Sequence, residues 1–588
     1  MFQGSLSTVK TPLLGRFSLA QSISVGGASL LVLSWLTTEH FLPWVSWHAE
    51  VLAFAAVLAV AIAAVVAGLI SEPDRPVRIP LLAIPFTLVG VVALVQVLTD
   101  TMTFLGDAVA VWFYMAMSVT CVVLGFSTPP GPDIPSRAVE PGRWSATTWV
   151  ALAFVTGSVA SVFVAFAQVF ELWEYSVWVL RMPELRRPGA NLGQPNQLAT
   201  LLVMGVGSAA FLHVSGKLGR VLCALLLLIL CTGLAMTESR TGALGLMALL
   251  LWWQWKRGAV AGQVSKWAGP VMAGGFLVLF ISWPHVMNAM QLTNSQAVNR
   301  FTNGDLRMAM WSQLLEAIWQ KPLWGWGILE VAKAHNAVAD THPINNPFSY
   351  SHNLLIDLAV WMGLPIAMGL AFAAVTWGWR RSKATARLLP WYCIAMVVPL
   401  AIHSMLEFPF AYAYFLAPVL YLAGVLESSV RAKDFLHIGA KTAAVMLLVL
   451  GSALLWSVVE YLSIEEDFRI VRFEQLRIGK TPANQRRPDI VMLTQLGALL
   501  TGSRIVLGPG MAPEQLDQLK KLALRYPWVA TQYRYALALA LNENAKEATR
   551  QFQVLRWQRD EKTYETIKRE VNELARTRYP ELRTLKLP

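Results

Sequence analysis

The residues with most capacity for chemistry lie between Pro284 and Pro365, a polar interruption in an otherwise hydrophobic chain that ends in Tyr350-Ser351-His352-Asn353. Four of the nine histidines fall there (His285, His335, His342, His352), with Arg300, Arg307 and the segment Lys321-Pro322-Leu323-Trp324-Gly325-Trp326-Gly327. A histidine can act as a general base near neutral pH. A guanidinium group can grip an anion through two parallel hydrogen bonds. His352 sits at the outer end of the next apolar run, beside Asn353 and one turn before Asp357, where it is either a capped or paired structural residue or such a base. The spacings of seven and ten residues separating His335, His342 and His352 are not those of a metal site, so no metal is expected.

Other stretches supply complementary groups. The loop 171–196 carries Arg181, Arg186 and Arg187 and ends in Asn191-Leu192-Gly193-Gln194-Pro195-Asn196. Pro195 suits a first helical position, and Gln194 and Asn196 beside the unpaired amides there either cap the helix or bind an anion or sugar. In Thr237-Glu238-Ser239-Arg240-Thr241-Gly242, Arg240 either pairs with Glu238 or binds a phosphate. Arg307 and Trp311 open an amphipathic stretch through Trp319, and the alternating Trp and Gly after it read either as a turn packed at a membrane surface or as a platform for a sugar or polyprenyl chain. His403 and Glu407, four apart on one helix face, read as a buried pair.

The elements that position these groups follow from composition. With 588 residues, 55% hydrophobic, only 14% charged and a mean hydropathy of +0.48, the chain reads as a polytopic membrane protein. About 20 apolar residues cross a bilayer core. On that measure spans are expected near 17–37, 50–70, 80–98, 107–126, 147–170, 195–214, 220–236, 241–255, 267–283, 352–378, 388–405, 409–427 and 439–459, about thirteen in all. The first run follows Lys10 and Arg16 like a signal sequence, but the many later spans make it an uncleaved helix. The Pro-rich stretch Thr128-Pro129-Pro130-Gly131-Pro132 is a non-helical connection.

Lys and Arg concentrate in the connections after even-numbered spans: Arg75 and Arg78, Arg137 and Arg143, Lys217 and Arg220, Lys256, Arg257 and Lys266, Arg380 to Arg387, and Arg431 with Lys433. These loops are therefore expected in the cytoplasm, and the large loop 284–351 outside. By the same parity the tail 460–588, with 22 of the 48 basic and 16 of the 36 acidic residues, is a soluble domain on the outer side. Within it Pro527 to Ala540 and Ala545 to Leu555 form a helix pair, either a plain hairpin or one tetratricopeptide-like unit. The fold class expected is thus all-α: a membrane helix bundle over 1–459 and a helical outer domain over 460–588.

Several classes are excluded. The net charge of +12 is accounted for largely by short loops, and no basic patch interleaved with aromatics points to nucleic acid. Cys121, Cys223, Cys231 and Cys393 all lie in apolar runs, so neither a disulfide framework nor zinc is expected. No Walker A, dinucleotide or His-Glu-x-x-His pattern occurs, and no cofactor is expected.

In order and topological side, Gly193-Gln194-Pro195-Asn196, Ser239-Arg240-Thr241-Gly242, Arg307 before Trp311, Pro322 to Gly327, His352-Asn353-Leu354 and Glu407-Phe408-Pro409-Phe410-Ala411-Tyr412 resemble the O-antigen ligase and polymerase superfamily. The tail, with Ala523 to Pro527 and Tyr533 to Ala540, is similar to that of its protein O-oligosaccharyltransferase branch. The resemblance implies transfer of a preassembled oligosaccharide from an undecaprenyl diphosphate carrier to Ser or Thr hydroxyls of an exported, for instance pilin-like, protein. The setting would be the periplasmic face of the bacterial inner membrane. It implies His352 as base, Arg240 and Arg307 at the diphosphate, and Gln194, Asn196, Asn353, Trp311 and Tyr412 at the substrates. Two alternatives stand beside it. One is a ligase or polymerase acting on lipid A core or polysaccharide. The other is a polyprenyl-linked glycan transporter, which would be expected to carry its polar residues near the bilayer midplane rather than at one face.

Overall fold

A computed structural model describes residues 19–72, 76–128, 144–181, 187–260, 265–292, 303–481 and 485–588. Lys10, Arg16, Arg75, Arg137, Arg143, Arg186, Arg300 and the prolines at 129, 130 and 132 lie outside the described residues. The helices are α1 (Leu19–Leu36), α2 (Trp47–Ser71), α3 (Ile84–Leu98), α4 (Leu105–Ser127), α5 (Ala146–Val169), α6 (Pro195–Val214), α7 (Arg220–Met236), α8 (Arg240–Trp255), α9 (Ala268–Ala289), α10 (Asn303–Gln320), α11 (Val331–Ala337), α12 (Leu354–Ala384), α13 (Leu388–Ser404), α14 (Ala413–Ser429), α15 (Ala440–Leu476), α16 (Thr494–Arg504), α17 (Pro513–Arg525), α18 (Val529–Leu541), α19 (Ala545–Gln558) and α20 (Glu561–Thr577). Among the described residues eight helices are long and apolar enough to cross a bilayer, and shorter apolar helices accompany them. This is a helical membrane protein.

The bundle is organised around α6, whose core window is 83% buried. Small residues make that depth possible, since lipid offers no hydrophobic drive between helices and close backbone approach must hold them together. A Cβ at Gly205 would meet Ser158 of α5 at 2.4 Å, and one at Gly207 would meet Met396 of α13 at 2.5 Å. Gly125 of α4 and Gly424 of α14 bring those backbones together in the same way. The first turn of α6, with Gln194 to Asn196, is thereby fixed at the end of the best-buried element.

A short antiparallel pair, β1 (Val77–Pro80) with β2 (Asp434–Ile438), interrupts the all-helical pattern. It joins the connections after α2 and α14, at the opposite ends of those helices from the polar loops.

The expected span 352–378 falls in α12, one of the eight helices long and apolar enough to cross a bilayer. Gly363, at φ 77 and ψ 166, breaks α12. The part after it, 364–384, is about 31 Å long and alone matches a bilayer core. His352 lies before the break, one helical segment away from that part. The break receives the chain from the large loop: the Leu364 amide donates to the Pro322 carbonyl and the Trp326 amide to the Val360 carbonyl, each at 2.7 Å. A Cβ on Gly325 (φ 74) would lie 2.6 Å from the Val360 oxygen, so the backbones pass where no side chain fits. Trp326 is buried with its indole N–H donating to the Ala317 carbonyl at 2.8 Å. The Trp-Gly alternation is thus a packing device against α12.

Helix α15, about 55 Å long, exceeds a bilayer core and runs unbroken through position 459/460. Its C-terminal half packs Tyr461, Ile464 and Phe468 against Trp47 and Leu496. The tail docks on the polar loops. Arg525 makes two 2.8 Å hydrogen bonds to Asp107 at the start of α4, and Gln558 bonds the ring of His335 in α11 at 2.7 Å. The C-terminal helices therefore share one face of the molecule with the large loop.

Candidate active site

One carboxylate gathers the candidate residues. Leaving α13, the chain turns through Met405 and Leu406 to place Glu407, whose side chain is 6% exposed. Its Oε2 accepts from Nδ1 of His352 at 2.6 Å. Its Oε1 accepts from a terminal nitrogen of Arg307 at 2.6 Å and from Nδ2 of Asn196 at 3.1 Å. Asn196 Oδ1 accepts from the Ser239 hydroxyl at 2.7 Å. Ser239 also caps α8 by accepting from the Gly242 amide at 3.0 Å, with Arg240 the first helical residue after it.

The protonation pattern follows from these partners. Burial raises the Glu407 carboxyl, but the hydrogen bond and charge of His352, with Arg307 and His403, outweigh it and hold the group below its ordinary range. An ionised carboxylate only accepts, so the hydrogen between it and His352 belongs to Nδ1. In the neutral ring Nε2 then carries the lone pair and is the atom able to take a proton. The side chain of His352 is 28% exposed, enough for a substrate to reach.

His352 is held by its neighbours. It adopts φ 60, a left-handed conformation rare outside glycine. The Ser351 amide donates to Asp357 Oδ1 at 2.7 Å and the Ser351 hydroxyl to the Asn353 carbonyl at 2.8 Å, which closes this turn. The ring meets Phe408 edge-on at 5.1 Å, and Tyr350 stacks on the same Phe408 at 4.6 Å.

The structure brings His352, Arg307 and Asn196 together through Glu407. It gives other candidates different work. Asn353 uses its carboxamide on protein: Oδ1 caps α12 at the Leu355 and Ile356 amides and Nδ2 donates to the Met405 carbonyl. Trp311 donates to the Ser351 carbonyl at 2.9 Å, a strut beneath the same turn. Gln194 precedes α6 without capping it through its side chain. Arg240 is exposed, one residue from Ser239. Tyr412 stacks between Phe408 and Tyr414, beside Gln197, whose Oε1 accepts from the Tyr414 hydroxyl at 2.9 Å.

The expected His403–Glu407 pair is not made. His403 turns inward to the Thr200 hydroxyl at 2.8 Å, and although the Glu407 amide still closes a turn on the His403 carbonyl at 2.8 Å, the carboxylate is taken up by His352, Arg307 and Asn196. The histidines of the large loop also separate: His335 binds Gln313 and Gln558, and His342 pairs with Glu316. Glu407 as the hub was missed because only the fold places it opposite His352, 55 residues away.

Three family models match the chain in succession: a protein glycosylation ligase over residues 188–213, an O-antigen ligase over 225–368, and the C-terminal part of a virulence factor membrane-bound polymerase over 391–571. Each contributes to the network: the first Asn196, the second Ser239, Arg307 and His352, the third Glu407. A general O-oligosaccharyltransferase of Acinetobacter baylyi (strain ATCC 33305 / BD413 / ADP1) is 25% identical over 547 residues, covering 90% of this chain and 91% of that protein. The chain is thus similar to O-antigen ligases over part of its length and, over nearly all of it, to a protein O-oligosaccharyltransferase. A ComP-specific O-oligosaccharyltransferase of the same strain is 28% identical over 254 residues, 41% of this chain and 44% of that one. Polar residues from segments far apart in sequence thus converge here onto one buried carboxylate.

Proposed function

We propose that this glycosyltransferase moves a preassembled oligosaccharide from an undecaprenyl diphosphate carrier to a Ser or Thr hydroxyl of an exported protein. The observation that carries the reading is the array His352–Glu407–Arg307. Nε2 of His352 takes the hydroxyl proton as the acceptor oxygen forms its bond to the anomeric carbon. The bond from that carbon to the diphosphate oxygen breaks, and the electron pair leaves with the diphosphate. Glu407 steadies the imidazolium that results, as the carboxylate behind the catalytic histidine of a serine protease does. Arg307, held by Glu407, and the exposed Arg240 stabilise the charge gathering on the leaving group. Gln194, Asn196 and Tyr412 line the approach.

The topology proposed with this is thirteen spans over 1–459, basic connections in the cytoplasm and the site at the periplasmic face of the inner membrane. The helices α16 to α20 form a periplasmic domain over 460–588, with α18 and α19 as a tetratricopeptide-like pair. Docking of that domain on the large loop supports a common side. Purified protein, lipid-linked oligosaccharide and a Ser-bearing pilin-like acceptor test the reaction. Glycosylated acceptor is expected with the wild type and none with His352→Ala. Transfer to lipid A core alone would make the chain a lipopolysaccharide ligase, and undiminished transfer by His352→Ala would remove the base.

A further inference from the structure

A second buried carboxylate lies behind the site and is not used by the transfer chemistry. Glu50, in the first turn of α2, is 3% exposed. Its Oε1 accepts from the Ser46 hydroxyl and from the Trp44 indole N–H at 3.4 Å. Its Oε2 meets the hydroxyl of Tyr114 on α4. That same hydroxyl lies 2.8 Å from the carbonyl of Ala411, in the segment that runs from Glu407 to Tyr412.

Counting hydrogens decides how this works. A tyrosine has one hydroxyl hydrogen and here faces two acceptors, Ala411 O and Glu50 Oε2. If Glu50 were ionised, one of the two contacts would set oxygen lone pairs against each other in a buried place, which is costly. A hydrogen on Oε2 satisfies every partner: Glu50 donates to Tyr114, and Tyr114 donates to Ala411. The Trp44 end is also anchored. Its backbone N–H donates to the Tyr461 hydroxyl at 3.2 Å, its carbonyl accepts from that hydroxyl at 3.1 Å, and Tyr461 stacks on Trp47 at 4.0 Å. The relay thus runs from α15, the helix that leads into the tail, to the segment bearing Glu407.

We propose that Glu50 is a positioning residue that works as a carboxylic acid, donating through Tyr114 to Ala411 and so holding the Glu407 segment opposite His352. The kinetic consequence rests on the transfer reaction above, but the protonation does not. Infrared difference spectra of the full-length protein at pH 7, wild type minus Glu50→Gln, are expected to show a carboxylic C=O band. Its absence overturns the proposal whatever the enzyme's activity. In transfer assays Glu50→Gln, whose amide can donate to Tyr114, is expected within about threefold of wild type. Glu50→Ala and Tyr114→Phe, which leave the Ala411 carbonyl or the tyrosine without its partner, are expected about tenfold lower in kcat with the KM for lipid-linked donor unchanged. A loss in Glu50→Gln as large as in Glu50→Ala overturns the donor role. His352→Ala run alongside separates failure of the relay from failure of the base assignment. If Glu50→Ala does not fold, Tyr114→Phe and the infrared band still decide.

Discussion

Replacing Glu407 by glutamine tests the site most directly, because the geometry dictates which way the new amide must face. On one side of the carboxylate stand two donors, Arg307 at 2.6 Å and Asn196 at 3.1 Å; on the other stands one, His352 Nδ1 at 2.6 Å. The amide oxygen will turn to the two donors, and its NH2 to the histidine. Nδ1 must then accept, so the ring hydrogen moves to Nε2 and the base is lost, although no atom has shifted appreciably. The equivalent change behind a serine protease histidine lowers kcat about 10⁴-fold, and a loss of roughly 10³–10⁴ is expected here. Donor binding, which does not need that tautomer, should change little. Single-turnover transfer from lipid-linked oligosaccharide to acceptor, followed by mass spectrometry across a pH series, measures the step. A Glu407→Gln variant within tenfold of wild type would refute the assignment of Nε2 as base. Glu407→Asp, which keeps charge but shortens reach, should fall between the two.

Other consequences are separately measurable. Arg307→Lys keeps the charge but loses the planar fork that Glu407 orients, and transfer should fall at least tenfold, with Arg307→Ala lower by a hundredfold or more. Gly363→Ala places a Cβ 2.4 Å from the Leu323 carbonyl at a φ of 77, and should lower the melting temperature in detergent by an amount reflecting at least about 1–3 kcal/mol. His335 is held neutral by burial and by Arg559, which lower its pKa from 6.5 to about 3. Between those values the unfolded chain binds a proton that the folded one does not, so stability falls as pH drops from 6.5 toward 3. Thermal denaturation should show that slope flattened in His335→Gln. Glu407 adds a second acid-sensitive contribution. Its folded pKa is depressed below 4.5, so its stabilisation is complete above 4.5 and lost as pH falls through the folded value, and Glu407→Gln should lack that component.

The apolar runs by themselves determined where helices form. The described cores of all thirteen expected spans are helical, because about 20 apolar residues leave the backbone no partner in lipid but itself. His352, Arg307 and Asn196 were legible for a related reason: charged and amide groups next to apolar helices are expensive unless they have partners, so their presence marks a site. What those partners are was not local information. The 3.6-residue period joined Glu407 to His403, and the pair fails because each side chain finds a partner on another element, Thr200 for His403 and His352, Arg307 and Asn196 for Glu407. Likewise a continuous apolar run concealed the break at Gly363, which exists because another backbone, from Pro322 to Trp326, presses into it. Only the packed bundle brings the ends of α6, α8, α10, α12 and α13 to one point. There a single buried carboxylate, satisfied by three donors, sets which nitrogen of His352 holds its hydrogen.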